Sequence, residues 1–385
     1  MNLKICYFGA YSKTYSRNAI NIYGLNECGA KIVFCHVGKP KFKSESRFSF
    51  ILCAALYPIT LPARSAYSFF KGLFLYFYHS YDIILVGYQG HFDVPAAFLL
   101  SRIIRKPLVF DALESLYDVF ANDKKLIRKG SLLAKIIFVL EKFIYILCDI
   151  ILIDTESNKR FFTQLFRIQQ DKVFATQLGA DDRIYNNNSG VYRAKQPGIF
   201  NVVFYGQQAP LHGLKYAIQA ADICKRDPSI QFFLVGGGQS YNENVALVKE
   251  LGLANVTFST LTEATGALDI VRAADIMLGV FANNDTGLRS IPNKVIQGMA
   301  MKIPVLTGQG VGVSEKFKHK KDIYLCSTEN PRSIADAIFE LKSDAALRET
   351  IAKNGYALYR QQFSPKAIAS KLIEIFNGAI HKKYE

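Results

Sequence analysis

The sequence predicts an α/β protein made of two Rossmann-like domains, each a doubly wound parallel sheet, facing a cleft. Three observations predict it. Short apolar runs alternate with segments of helical period along most of the 385 residues. These runs are apolar throughout instead of alternating in polarity, as in parallel strands covered on both faces. The rhythm breaks at the polar stretch Asn186–Gly198, which contains Gly and Pro and nothing periodic, and then restarts.

In the first half the expected strands are Leu3–Phe8, Lys31–His36, Ile83–Val86, Leu108–Phe110, Ile150–Ile153 and Val173–Thr176. Helices are expected at Ser16–Cys28, Ala66–His79, Val94–Arg105, Ser131–Leu147 and Glu156–Phe166. After the break, strands are expected at Phe200–Tyr205, Phe232–Val235, Val256–Phe258, Ile276–Val280, Val305–Thr307 and Ile323–Leu325. The helices between them are Gly213–Lys225, Glu243–Leu251, Thr262–Ala273, Asn293–Met301 and Ser333–Leu341, followed by Ala345–Gln362 and Pro365–Ala379. The domains are therefore 1–188 and 199–364, with 365–385 a C-terminal helix that packs back toward the first domain. Ligands of such sheets bind at the carboxyl ends of the strands, which points to the cleft.

Composition narrows the function. Half of the chain is hydrophobic and 21% is charged, enough to bury sizeable cores. The formal charge of +15 attracts polyanions. No zinc finger, helix-turn-helix or other nucleic-acid motif is present, so phosphates and an anionic membrane surface are the expected partners. Phe42–Phe77 mixes Lys and Arg with many aromatics, as an interfacial segment or a core helix with basic flanks does. The seven cysteines are scattered, without CxxC spacing, which fits reduced thiols in a cytoplasmic protein and no metal site. No signal peptide is apparent. Phe48–Pro62 is too short to span a bilayer and contains Pro58, and Leu132–Ile153 is interrupted by charges. A dinucleotide oxidoreductase is disfavoured because no G-x-G-x-x-G follows the first strand.

The sharpest segment runs from Arg289 to Gly308. Pro292 is expected at the first helical position, where its missing N–H costs nothing. The helix start then offers backbone N–H groups and partial positive charge to a diphosphate, and Lys294 adds a full charge. Two glycine loops precede it. In Phe204–Leu214, Gly206 permits a tight turn and Gly213 opens a helix. Leu234–Gln239 carries three glycines after a strand, among them Gly237. In the first domain Phe8-Gly9-Ala10-Tyr11 ends a strand, and Arg17 is a candidate for an acceptor phosphate. His91 stands at another strand terminus, and Asp111 or Glu114 is placed to orient the acceptor or donor sugar.

Ile291–Val305 resembles the donor-site signature of family 4 glycosyltransferases, enzymes of the two-Rossmann GT-B fold: IPNK, MA and PV occur in order and at the right spacing. The two glycine loops resemble the family's corresponding loops in the same order. The resemblance implies a retaining, metal-independent transfer from a nucleotide sugar, UDP- or GDP-linked, to a cell-envelope or lipid-linked glycan, with no other cofactor. It implies that the Gly9 loop faces the donor diphosphate, with Tyr11 on the acceptor side, and that Asn293 and Lys294 serve the donor. The chain also departs from the pattern. His212 stands where many members have Lys. The two acidic residues eight apart that usually hold the donor are Arg289 and Gln297. Arg289 reverses the charge and is expected to clamp phosphate, while Gln297 can still hydrogen-bond a ribose hydroxyl. The His of the family's His-Asp element is absent near Asp111. A catalytically silent protein of the same fold, binding a sugar nucleotide or scaffolding a partner enzyme, is the alternative these departures favour.

Overall fold

The structure, a computed structural model, describes residues 3–38, 47–123, 126–187, 196–259 and 267–384, with 47–60 described by their backbone. It divides into two compact units, one of residues 1–177 with 365–385 and one of residues 178–364.

The first unit is built on β1 (Lys4–Gly9), β2 (Lys31–His36), β3 (Ile83–Val86), β4 (Leu108–Leu113), β5 (Ile150–Ile153) and β6 (Val173–Ala175). All pair in parallel, in the order β2-β1-β3-β4-β5-β6. Its helices are α1 (Ser16–Glu27), α2 (Arg47–His79), α3 (Val94–Ile103), α4 (Leu116–Asp118), α5 (Leu132–Leu147) and α6 (Glu156–Phe166). Alternate residues of each strand feed opposite faces, so two apolar layers form. Phe8, Val86 and Phe110 pack under α3, α5 and α6 with Leu100, Tyr145 and Phe162. Ile5, Tyr7 and Leu85 pack on the other face with Leu25 of α1.

The second unit carries β7 (Phe200–Tyr205), β8 (Ile230–Val235), β9 (Val256–Ser259), β10 (Ile276–Leu278), β11 (Val305–Gly308) and β12 (Tyr324–Cys326), also parallel, in the order β12-β11-β10-β7-β8-β9. Its helices are α7 (Leu214–Cys224), α8 (Tyr241–Glu250), α9 (Ala267–Arg272), α10 (Asp285–Arg289), α11 (Asn293–Ala300), α12 (Val311–Ser314), α13 (Pro331–Ser343) and α14 (Ala345–Leu358). Strand order reverses between β7 and β10, the point where ligands of open α/β sheets bind. The last helix, α15 (Pro365–Tyr384), belongs to the first unit, where Ile368, Leu372 and Phe376 complete the layer beside α1.

Several expectations need correction. The boundary lies at 177/178, because residues beyond it already pack with the second unit: the Tyr359 hydroxyl donates to the Ala180 carbonyl at 2.9 Å, and Arg272 Nε donates to Asn186 O at 3.2 Å. Of the expected linker, residues 188–195 lie outside the described residues. The helix α2 runs from Arg47 and continues through Pro58 and Pro62, where sequence rules expect a break. Residues 42–46 of the aromatic-basic stretch, and 262–266 of the helix expected before Ala273, lie outside the described residues. Pro292 is the N-cap of α11, in extended conformation (φ −66°, ψ 138°), not its first helical residue. Among the described cysteines six are free thiols, five of them buried. Among the described residues no helix is long and apolar enough to cross a membrane, and no cluster of His, Cys, Asp and Glu could hold a metal ion.

Candidate functional site

In the second unit three chain segments meet where β7, β8 and β10 end. The loop after β7 leaves the sheet at Gly206 (φ 120°), whose N–H donates to Val235 O at 2.9 Å. Gln208 then joins this loop to the glycine loop after β8. Its backbone N–H donates to Gly237 O (2.8 Å), its side-chain amide donates to Gly236 O (2.9 Å), and its side-chain oxygen accepts from Asn244 (2.8 Å). On the other side Gly213, in left-handed conformation, lies against the chain after β10, and the Phe281 N–H donates to His212 O at 2.9 Å. A Cβ on Gly213 would sit 2.4 Å from the Ala282 nitrogen.

The glycines of the second loop do different work. A Cβ on Gly236 would lie 2.1 Å from Gly206 O, and one on Gly238 would lie 2.8 Å from the Gln208 backbone; both have positive φ. A Cβ on Gly237 meets nothing within 4 Å. Gly236→Ala is therefore expected to cost more than about 2 kcal/mol, and Gly237→Ala less than about 0.5 kcal/mol, in urea unfolding. Similar costs for the two would mean that the loops do not touch as described.

Lys294 enters this region from the first turn of α11. It is 5% exposed, and its ammonium has no hydrogen-bond partner among the described residues. The nitrogen stands 4.0 Å over the Phe204 ring, a cation–π contact that offsets part of its lost hydration. Burial holds the amine well below its ordinary pKa. A Cβ on Gly206 would come 3.8 Å from Lys294 Cε, so the lysine lies directly beside the β7 turn. The half-buried His212 is near enough to feel Lys294. Burial first, then the Lys294 charge, lowers its pKa to about 3. Its Nδ1 lies 2.6 Å from the Gln207 carbonyl, so the neutral ring donates from Nδ1 and presents Nε2 as an acceptor. A hydrogen bond donated by His212 to a ligand thus requires a second proton.

Asn293 opens α11 and is half-buried. Gln297 is also half-buried. Arg289 closes α10. The cavity of about 480 Å³ beside α10 is lined by Asn283, Leu288, Gln309 and Gly310 and includes none of the expected donor residues.

In the first unit most expected residues are interior. All five guanidinium N–H groups of Arg17 are used: Nε and Nη2 on Asp111, Nη2 also on Thr176 Oγ1, and Nη1 on the Thr176 and Gln177 carbonyls. None is left for an acceptor phosphate. Asp111 is fully buried and also accepts from Asn21, so it serves Arg17 and not a sugar. His91 is 2% exposed, edge-on to Phe110, with Nε2 3.7 Å from Glu141 Oε1. Tyr11 is 1% exposed, packed on Tyr7 and His36, and its hydroxyl is enclosed.

Two residues remain at the carboxyl edge of this sheet. Gly9 (φ 105°) is pressed against Asp93, which accepts from the Ala10 N–H at 2.9 Å and pairs with Arg64 at 2.9 Å. Glu114 is half-buried, accepts from the Tyr88 hydroxyl and follows Leu113, whose φ of +60° marks backbone strain at the end of β4. Glu141, missed from sequence, supports this turn. Its carboxylate accepts from the Leu116 and Tyr117 N–H groups and from the Ser115 hydroxyl, and burial raises its pKa to about 7. Its signal was a lone acid in the apolar run of α5.

Residues 194–358 match the family model described as glycosyl transferases group 1. This segment, less than half of the chain, is what resembles that family. It contains the glycine loops, His212 and Lys294. The lipopolysaccharide core biosynthesis glycosyltransferase LpsD of Rhizobium meliloti is 26% identical over 184 residues, 48% of this chain and 51% of that protein. An uncharacterized glycosyltransferase of Methanocaldococcus jannaschii is 21% identical over 246 residues, 60% of each chain. The chain thus spans about half the length of the curated relatives it matches. Among solved structures, Anabaena Alr3699/HepE in complex with UDP and glucose aligns with a TM-score of 0.70 at 16% identity, over 98% of this chain and 100% of that one. Sucrose-phosphate synthase from Thermosynechococcus elongatus aligns with a TM-score of 0.70 at 15% identity, over 99% and 100%. These likenesses establish the GT-B fold. Within this matched segment, His212, Arg289 and Gln297 fall beside and along the α10–α11 region, as does the buried Lys294.

Proposed function

We propose that the protein is a glycosyltransferase that moves a sugar from a nucleotide-sugar donor to a cell-envelope or lipid-linked glycan, with retention and without a metal ion. The observation that carries this reading is the buried, unpartnered Lys294 ammonium beside the Gly206 turn. A desolvated cation without a counter-charge is costly, and a diphosphate is the ligand that would repay it. The same contact strengthens as the leaving nucleoside diphosphate gains negative charge, which is what a transferase needs. The UDP-glucose complex of Alr3699/HepE favours a UDP-sugar over a GDP-sugar. Glu114, half-exposed at the strand end, is the group of the first unit best placed to serve the acceptor.

The silent-binder reading keeps one observation in its favour: Gln297 stands in place of the usual acid. A screen of UDP- and GDP-sugars by thermal shift, followed by product detection with lipid-linked acceptors, separates the two. A raised Tm with product supports the transferase. A raised Tm without product supports the silent protein, and no shift with any donor overturns both.

A further inference from the structure

The outer face of the first unit carries an unusual amount of uncovered apolar surface. It is concentrated on three neighbouring helices, with α3 in contact with both α2 and α5. On α5, Leu133, Ile136, Val139, Leu140, Phe143 and Ile146 are all exposed, Val139 at 62% and Phe143 at 54%. On α2, Phe70, Phe74 and Phe77 are exposed, the last at 77%, and on α3 Leu99 and Ile103 are. The opposite side of α5 sends Ile144 and Tyr145 into the core. This helix therefore has a second apolar face that the fold leaves uncovered, and patches of that size on soluble proteins mark a docking surface.

The exposed charges on the three helices have one sign. Neither α2 nor α3 contains an Asp or Glu, and the single acid of α5, Glu141, is 1% exposed. Lys135 and Lys142 stand on α5, Arg105 follows α3, and Arg128 and Lys129 precede α5. An apolar face whose own helices carry exposed cations and no exposed acid, with Asp149 at its edge paired to Arg102, fits an anionic lipid surface. A second copy docking by a two-fold axis would bring like charges together. No helix among the described residues can cross a membrane, so the fit is to a surface and not a span.

We infer that the α2–α3–α5 face seats the protein on an anionic lipid bilayer, with α5 as the principal contact. The inference rests on the proposed function, in which the acceptor is lipid-linked. It moves the expected membrane contact from the stretch 42–77 alone to a face built mainly by α5.

The test uses the full chain in flotation with phosphatidylcholine vesicles, with and without phosphatidylglycerol. The wild type is expected to float with the anionic vesicles and to be released as salt rises. V139E/F143E is expected to lose about 100-fold in partitioning, and K135E/K142E more than about tenfold. Donor thermal shifts on the same samples are expected to be unchanged. These substitutions lie on an exposed face, so retained donor shifts also show that the variants are folded. The inference is overturned if the wild type does not float, if it floats equally on vesicles without phosphatidylglycerol, or if V139E/F143E floats like the wild type. It is also overturned if the wild type forms a dimer in solution that V139E/F143E breaks, since a second copy then covers the face. Floating without any donor shift would sink the transferase reading and leave the docking face standing.

Discussion

Replacing Lys294 with Met is expected to weaken donor binding about 100-fold and, at the same time, to raise the melting temperature of the free protein. In the free protein the ammonium is buried over Phe204 without a hydrogen-bond partner. Methionine keeps most of the volume and removes the desolvated charge, which should stabilise the unliganded fold by roughly 1–3 kcal/mol. Binding should weaken on the order of 100-fold, about 3 kcal/mol, because a charge-assisted contact to phosphate is lost. Calorimetry and thermal melts of the same variant read both effects. A destabilised variant that still binds donor would show that Lys294 is a packing residue.

The same lysine sets a pH dependence of known sign. Its folded-state pKa lies well below the ordinary value, so between the two the unfolded chain binds more protons and the stability of the free protein rises with pH. A bound diphosphate raises the lysine pKa again. Donor affinity should therefore be greatest below the depressed pKa and fall as pH rises through and above it. His212, held near 3 in the free protein, adds affinity only at pH values below its donor-bound pKa. Proton uptake on donor binding, read as a buffer-dependent heat, should vanish in Lys294→Met over the alkaline part of the range.

Asp111→Asn is expected to destabilise the first unit by about 3–5 kcal/mol in urea unfolding. The substitution leaves a fully buried guanidinium without its counter-charge. Burial alone would pull the Arg17 pKa down, but Asp111 more than offsets this and holds it above its ordinary value. The partner's network also ties α1 to β4 and to the carbonyls of Thr176 and Gln177, so the loss reaches three elements. The double variant R17M/D111N should recover part of the loss, since no charge is then stranded. A near-neutral Asp111→Asn would instead return the carboxylate to the list of groups available to a sugar.

The pair also shows what was legible in the sequence. Strands that are apolar on both faces announced themselves, and β3 and β5 begin and end where their apolar runs do. The α11 segment was legible because cap, charge and next strand follow one another locally. Arg17 and Asp111 are 94 positions apart, and nothing local shows that each consumes the other. Asp111 was read as a site residue from its strand-end position, and Arg17 from its guanidinium beside the first loop. Gln208 was invisible for a similar reason: one amide between two glycine loops looks like any loop residue until the loops are brought together. The continuation of α2 through Pro58 and Pro62 defeats a rule that weighs the local backbone only.

The return of α15 to the first unit reverses the order in which the two halves can mature during synthesis. Residues 178–364 form their unit without any later segment, so it can fold as soon as it has been made. The first unit waits for Ile368, Ala369, Leu372 and Phe376, all buried against its sheet and α1. Until they arrive, the groove at Gly24, where α1 leaves no room even for a Cβ beside the Pro365 carbonyl, stays open and apolar. The half of the chain encoded first is thus completed last, and a nascent chain in which α15 has not yet been made would present that groove to chaperones.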